Sequence, residues 1–449
     1  MKKRVHFIAI GGSVMHNLAL ALAQSGFEVS GSDDQIYEPA RSRLAKAGIL
    51  PDSDGWFPEK LAGAIDFVIL GMHAKTDNPE LRYCLERGIQ VFSFPQFIQE
   101  SYRNKKQIVV IGSHGKTTTT SILMHLFKAL ELDFDYLVGS QLEGFDTMVR
   151  ISNAPFAIIE GDEYLSSCLD LRPKFFHYEP SVLIVTGIAW DHFNVFPTFQ
   201  HYLNAFRERI EKCSPETPVI YFEGDPELRQ LVKETSQFKI PYQAANSFRE
   251  GQQLYLVHDQ TKTPIHVFGK HNLENIQAAI ETCRFLGFDL NRCFESLTNF
   301  KGAAKRMELI FKNDKHTVFR DFAHAPSKLK ASLQAIREQF PNSKILACYE
   351  LHTYSSLNPE FLPQYKDTAA AADELLIYFD ANALAIKKML PLSHETVRIA
   401  FQHEHMFVVD HPEQLIQKLN ESRDHFDVII FAGSGNFGKV DLLHGFDAG

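Results

Sequence analysis

A three-domain α/β protein with largely parallel sheets, Rossmann-like in its first and last domains, is predicted by three observations. The chain of 449 residues exceeds what one ordinary core accommodates. Short apolar runs ending in glycine lead repeatedly into segments with helical spacing, the signature of βαβ units. The pattern restarts near Gln107, after a polar stretch, and again near Phe300. We therefore expect domains at 1–103, 104–298 and 299–449.

Val5 to Ile10 reads as a buried strand ending at Gly11-Gly12, followed by helical spacing from Met15 to Ala23 and a second strand, Glu28 to Ser30, ending at Gly31-Ser32-Asp33. Phe67 to Leu70, ending at Gly71, and Val91-Phe92, leading to Pro95, complete the first sheet. Tyr102-Arg103-Asn104-Lys105-Lys106 has the polarity of a linker. Gln107 to Ile111 opens the central domain, with a glycine loop and a helix near Lys116. Phe156 to Ile159, Val182 to Val185 with its extension to Ile188, and Val219 to Phe222 follow as strands, alternating with helices to about Gly287. In the last domain the expected strands are Thr317 to Phe319, Lys344 to Ala347, Leu375 to Tyr378 and Val428 to Phe431. Short repeats and low-complexity segments are absent from the sequence.

Composition narrows the function classes. With 45% hydrophobic and 22% charged residues the chain matches ordinary globular proteins. A net charge of −9 argues against a general nucleic-acid binder, which needs a basic surface for phosphates. The six cysteines show no CxxC pair and no metal-type spacing, so a reducing cytoplasmic setting is expected. Met1-Lys2-Lys3-Arg4 resembles the start of a signal peptide, but Gly11-Gly12 break the apolar run behind it. No apolar run approaches the roughly 18 residues of a membrane helix, so no membrane insertion is expected.

The sharpest local signal is Gly112-Ser113-His114-Gly115-Lys116-Thr117-Thr118, directly after the strand Ile108 to Ile111. Glycines let backbone N–H groups curl around phosphate, Lys116 supplies a point charge, and the Thr117 hydroxyl can ligate magnesium. This loop is shorter than GxxxxGK[ST], but its strand-loop-helix setting makes the central domain P-loop ATPase-type, a nucleotide-binding domain with a place for Mg2+. A magnesium ion needs hard oxygen ligands, and Glu160 in Glu160-Gly161-Asp162-Glu163 ends the strand expected beside the loop. Trp190-Asp191-His192 ends the strand Val182 to Ile188, at the sheet edge where α/β proteins build their sites. In the first domain, Gly11-Gly12 and Asp33, about 20 positions on, fit a dinucleotide ribose site, but the full GxGxxG is missing.

In this order these residues resemble the Mur ligase family. Gly269-Lys270-His271-Asn272-Leu273-Glu274-Asn275-Ile276-Gln277-Ala278-Ala279 resembles the family's GxHNxxNxxAA helix start, Phe300 to Glu308 its FxGxxxRxE domain entry, and Asp321-Phe322-Ala323-His324-Ala325-Pro326 its DYAHxP turn. The resemblance runs from Gly11 to the Gly433-Ser434-Gly435-Asn436-Phe437-Gly438 loop. It implies that ATP is held by the phosphate loop with His271, Asn272, Asn275, Arg306, Asp321 and His324, Arg306 reaching the γ-phosphate and Asp321 the ribose. It implies catalysis by Lys116, Glu160, His192 and Arg306, and magnesium on Thr117, Glu160 and His192. For the first domain it implies a UDP-sugar held by Gly11, Gly12, Ser13, Ser32, Asp33 and His73.

The implied reaction is ATP-dependent amide formation on the lactyl carboxylate of UDP-N-acetylmuramate, through an acyl phosphate. Gly31 to Pro39, Glu160 to Tyr164 and Lys174 to Tyr178 resemble the branch that ligates a whole murein tripeptide, and Val14 departs from the glycine usual in L-alanine ligases. No lysine lies between His192 and Lys212, so the carbamoylated lysine of some members is absent. The acceptor peptide is assigned to Lys328, His352, Thr353, Tyr354 and Ser355, nearest the Asp321 turn, although an arginine is expected in the 350–356 run and none is there. L-alanine as acceptor and a non-catalytic sensor of UDP-MurNAc-peptide are the rival readings. A monomer or weak homodimer is expected.

Overall fold

A computed structural model describes residues 2–190, 195–251, 253–387 and 389–446. The chain forms two compact units. One runs to Trp190 and takes in Thr198–Gln243 and Gln277–Ser296; the other takes in Ala244–Ile276 and the chain from Leu297.

In the first unit, β1 (Arg4–Ile8), β2 (Glu28–Ser32), β3 (Phe67–Leu70) and β4 (Val91–Ser93) form a sheet in the order β2-β1-β3-β4, parallel throughout. Residues 5–8 and 67–70 are buried without alternation, as expected of strands covered on both faces. β1 ends at Ile8 rather than Ile10, because Ala9 adopts φ 69° and both Ala9 and Ile10 donate their N–H groups to the Ser32 carbonyl. The turn pins the glycine loop to the end of β2.

The second sheet of this unit contains β5 (Lys106–Ile111), β6 (Phe134–Leu137), β7 (Val149–Arg150), β8 (Phe156–Glu160), β11 (Val182–Val185), β12 (Pro218–Phe222) and β13 (Phe238–Tyr242), with the hairpin β9 (Leu165–Ser167) and β10 (Asp170–Pro173) outside it. The order is β13-β12-β11-β5-β8-β6-β7, and only β7 is antiparallel to its neighbour. Thus β5, carrying the phosphate loop, lies between β8 and β11. The expected extension of β11 to Ile188 does not form, because Thr186 bonds to the phosphate loop and Gly187 turns at φ 137°.

The second unit holds a small antiparallel sheet, β14 (Ser247–Glu250), β15 (Gln253–His258) and β16 (Thr261–Ile265), and the first turns of the helix Lys270–Phe285. It also holds a six-stranded sheet of β17 (Glu308–Lys312), β18 (Thr317–Asp321), β19 (Ile345–Glu350), β20 (Glu374–Tyr378), β21 (Met406–Val409) and β22 (Val428–Ala432). Its order is β17-β18-β22-β19-β20-β21, with only β17 antiparallel. β22 inserts between β18 and β19, so the strand that leads to the 352–356 run is not paired with the strand that ends at Asp321, although both end at the same edge of the sheet. No helix among the described residues is long and apolar enough to cross a membrane.

Candidate functional site

In the first unit, the parallel strands deliver three loops to one edge. Gly112 has φ 136°, and a Cβ there would lie 2.3 Å from Thr186 Oγ1, so only glycine permits this approach. Ser113 N–H donates to the Gly187 carbonyl at 2.9 Å, and the Thr186 hydroxyl donates to the His114 carbonyl. Gly115 caps the helix Lys116–Ala129 in the left-handed region, leaving the amide-rich helix start open toward the loop. The buried Ser113 hydroxyl has no hydrogen-bond partner among the described residues, which suits a loop that closes on an acceptor such as phosphate. Thr118 is buried on the same first turn.

Lys116 is not left in solvent: its side chain is 11% exposed, and Nζ donates to the Gly112 carbonyl at 2.5 Å and to Glu163 Oε2 at 2.7 Å. Burial pulls its pKa down, but the carboxylates of Glu163, Asp162 and Glu160 outweigh that and raise it. Glu163 is 1% exposed and was not among the expected site residues, although it lies in the quoted acidic run. Glu160 sits at the end of β8, accepts the Thr117 hydroxyl at 2.7 Å on Oε1 and the Gly139 N–H at 2.7 Å on Oε2. Its pKa is raised by burial and by Asp162, against the pull of those two hydrogen bonds and Lys116.

A hydroxyl and a carboxylate within 2.7 Å, both hard oxygen donors beside the phosphate loop, fit a magnesium ion. No group of three or more histidine, cysteine or acidic side chains arranged for a metal occurs among the described residues. His192 lies outside the described residues.

The amino-terminal loop is braced in the same way. Gly11 N–H donates to Asp33 Oδ2 at 2.7 Å, and Asp34 N–H to Oδ1 at 3.0 Å. Burial, more than the neighbouring Asp34, raises the Asp33 pKa to about 6. Ser32 is buried at the end of β2, and Gly12 caps the helix that Ser13 begins. His73 is exposed on the turn after β3, at the same carboxyl edge. Ser13 and Asn17 pack against the 146–148 segment, with Met148 N–H donating to Asn17 Oδ1 at 3.0 Å.

In the second unit, His271, Asn272 and Asn275 begin the helix Lys270–Phe285. Asn272 Nδ2 donates to the Phe268 carbonyl at 2.7 Å, while burial lowers the His271 pKa against the raising pull of Asp321. Asp321 ends β18, accepting Met307 N–H at 3.2 Å and the Ser332 hydroxyl. The Arg306 guanidinium lies 4.6 Å from the centre of the Phe322 ring, between Lys305 and Met307, which both take positive φ. His324 shares a hydrogen bond between Nδ1 and the Phe322 carbonyl at 2.9 Å, and Lys328 Nζ is 3.3 Å from its Nε2. Lys328 therefore joins the turn that carries Asp321 and His324.

The other four residues expected to read the acceptor follow β19. Thr353 Oγ1 accepts Ser356 N–H at 3.0 Å, Ser355 accepts Asn358 N–H, and Tyr354 is 55% exposed with Lys387 Nζ 5.2 Å from its ring centre. Lys387 also donates to the His352 carbonyl. Burial lowers the His352 pKa, as does Lys387, against Asp380. At the root of this loop stands Glu350, 3% exposed, which the sequence reading did not single out. Burial pushes its pKa from 4.5 up to about 7, against the Phe437 N–H bond, Arg320 and Lys387.

That shift has a sign that can be measured. Between about pH 4.5 and about pH 7 the unfolded chain has released the Glu350 proton and the folded one holds it, so stability falls as pH rises through this window and then levels. The span corresponds to on the order of 3 kcal/mol for this group. Glu350→Gln is expected to raise the thermal midpoint at about pH 8 and to have little effect at about pH 5. Equal shifts at both pH values would contradict the buried-carboxyl reading.

Against known proteins, three family models match in order: the Mur ligase family catalytic domain over residues 4–106, the Mur ligase middle domain over 110–283, and the Mur ligase glutamate ligase domain over 305–435. The chain is 30% identical to the UDP-N-acetylmuramate–L-alanine ligase of Aquifex aeolicus, over 97% of this chain and 96% of that one. It is 28% identical to the UDP-N-acetylmuramate–L-alanyl-γ-D-glutamyl-meso-2,6-diaminoheptandioate ligase of Haemophilus influenzae, over 98% and 97%. The crystal structure of the UDP-N-acetylmuramate-alanine ligase of Thermotoga maritima shares the fold with a TM-score of 0.73 at 23% identity, over 97% and 96% of the two chains.

Proposed function

We propose, because the chain belongs to the Mur ligase family, that it joins the lactyl carboxylate of UDP-N-acetylmuramate to the amine of a murein peptide of the L-alanyl-γ-D-glutamyl-meso-diaminopimelate type. It is an ATP-dependent, ADP-forming ligase that makes a carbon–nitrogen bond. It works in the cytoplasm, as a monomer or weak homodimer, in peptidoglycan recycling.

A carboxylate does not react with an amine near neutral pH, so it must first become a better electrophile. The lactyl carboxylate attacks the γ-phosphorus of ATP, giving an acyl phosphate and ADP. Lys116, the amides of the 112–115 loop and Arg306 stabilise the charge on the transferring phosphoryl group. Magnesium, held by Thr117, Glu160 and His192, would screen the phosphate oxygens when bound. His271, Asn272, Asn275, Asp321 and His324 position the nucleotide. Gly11, Gly12, Ser13, Ser32, Asp33 and His73 hold the UDP-sugar. The peptide amine, deprotonated, then attacks the acyl carbon and phosphate leaves.

The observation that carries the peptide reading is the open loop after β19. Tyr354, 55% exposed with Lys387 behind its ring, offers a broad face that an extended acceptor would cover and that free L-alanine would leave bare. Val14 and the runs at 31–39 and 160–178 point the same way. The second reading, transfer to L-alanine, is favoured by the name of the Aquifex relative. Steady-state kinetics with UDP-N-acetylmuramate, ATP and a panel of amines separates them. A higher kcat/KM for the tripeptide than for L-alanine is expected; a higher value for L-alanine would overturn the peptide reading.

A further inference from the structure

Glu350 takes no part in the chemistry proposed above, yet the fold is built around it. Its Oε2 accepts the Phe437 N–H at 3.0 Å. A Cβ at Gly435 would lie 2.3 Å from its Oε1, and one at Gly433 2.9 Å from its Cβ, so the 433–437 loop is moulded onto the carboxyl group. On the other side, β20 places Tyr378 directly opposite Glu350 in register. The Tyr378 hydroxyl is buried without a hydrogen-bond partner among the described residues.

The charges around this carboxyl are few. Arg320 approaches from β18, His352 from the loop that follows β19, and Asp380 and Lys387 from the segment after β20. Among the described residues only the His352 imidazole comes within 4.0 Å, with Nδ1 3.7 Å from Oε1. A buried carboxyl group without a close cation is costly to ionise, and it suits a place where a cation arrives with a ligand. Oε1 is the oxygen that accepts no hydrogen bond among the described residues, and the acceptor loop begins two residues away.

We propose that Glu350 is the specificity-determining residue for a second amine on the acceptor: Oε1 takes the protonated amine of a diamino acid in the incoming peptide, with the Tyr378 hydroxyl and His352 flanking it. The assignment rests on the peptide reading above. Free L-alanine carries one amine, which is consumed in the bond, and so has nothing to offer Glu350. In a peptide ending in a diamino acid the nucleophile and the recognised cation are different groups.

The test compares two tripeptide acceptors in steady-state kinetics, one ending in meso-diaminopimelate and the other in 2-aminopimelate, which lacks the second amine, with L-alanine as a third arm. The wild-type protein is expected to favour the diaminopimelate peptide by about ten- to a hundredfold in kcat/KM, carried in KM, as for a charge-assisted hydrogen bond. In Glu350→Gln, which keeps an acceptor for Phe437 N–H, that preference should collapse to within about threefold. If Glu350→Gln keeps the wild-type ratio, or weakens both peptides equally as a loop clamp would, the assignment is overturned while the peptide reading stands. If the wild-type protein prefers L-alanine to both peptides, the proposed function falls and takes this assignment with it.

Discussion

Lys116→Ala is expected to lower ATP-dependent product formation by about 10³-fold or more while leaving affinity for UDP-N-acetylmuramate within about twofold. Nζ donates to the Gly112 carbonyl of the phosphate loop, and the candidate UDP-sugar residues belong to a different sheet. The substitution also breaks the ion pair of Lys116 with Glu163, which is 1% exposed and lies 2.7 Å from Nζ. Removing one member of a buried pair costs about 3–5 kcal/mol, so the single substitution also lowers stability. Lys116→Ala combined with Glu163→Gln separates the two effects, because stability should return and activity should not. Calorimetric titration with UDP-N-acetylmuramate and phosphate-release rates check the prediction. A variant that loses UDP-sugar affinity while retaining catalysis would refute the division of labour.

Glu160→Ala is expected to cost about 10²-fold or more in rate, with little rescue by added magnesium. His192→Ala should lose activity that high magnesium partly restores. The asymmetry follows from charge, since a carboxylate is the stronger ligand for a hard cation. Glu160 also accepts the Gly139 N–H and the Thr117 hydroxyl, so its loss removes the link between the end of β8, the 139 turn and the phosphate-loop helix. Rates measured across a magnesium titration decide the matter. Wild-type rates in both variants at low magnesium would remove these residues from the metal site.

What was legible in the sequence was local. Parallel strands buried on both faces, such as β1, β3, β5 and β11, show as unbroken apolar runs, and the phosphate loop follows one of them within a few residues. The three-domain α/β architecture followed from those runs, and family membership from motifs a few residues long. The small β14 to β16 sheet was missed because β14 and β16 are short, mostly polar and half-exposed, which left the apolar run Leu254 to Val257 of β15 without a recognisable partner. The antiparallel edge strand β7 escaped because it is only two residues long, and β17 because its three apolar residues are flanked by charged ones and lie half-exposed. Long-range pairings were hidden altogether: Lys116 meets Glu163 across 47 residues and Phe437 meets Glu350 across 87. Insertion of β22 between β18 and β19 belongs to this class, since sequence order alone pairs those two strands directly. A lone glutamate at the end of an apolar strand carries no sequence signal of its burial.

Activation of the sugar carboxylate by ATP is the central claim, and oxygen-isotope transfer tests it most directly. UDP-N-acetylmuramate labelled with oxygen-18 in its lactyl carboxylate is turned over with ATP and the tripeptide, and the released phosphate is analysed by mass spectrometry. An acyl phosphate route predicts one labelled oxygen in each phosphate formed, in step with amide product. Unlabelled phosphate accompanying full amide yield would contradict it.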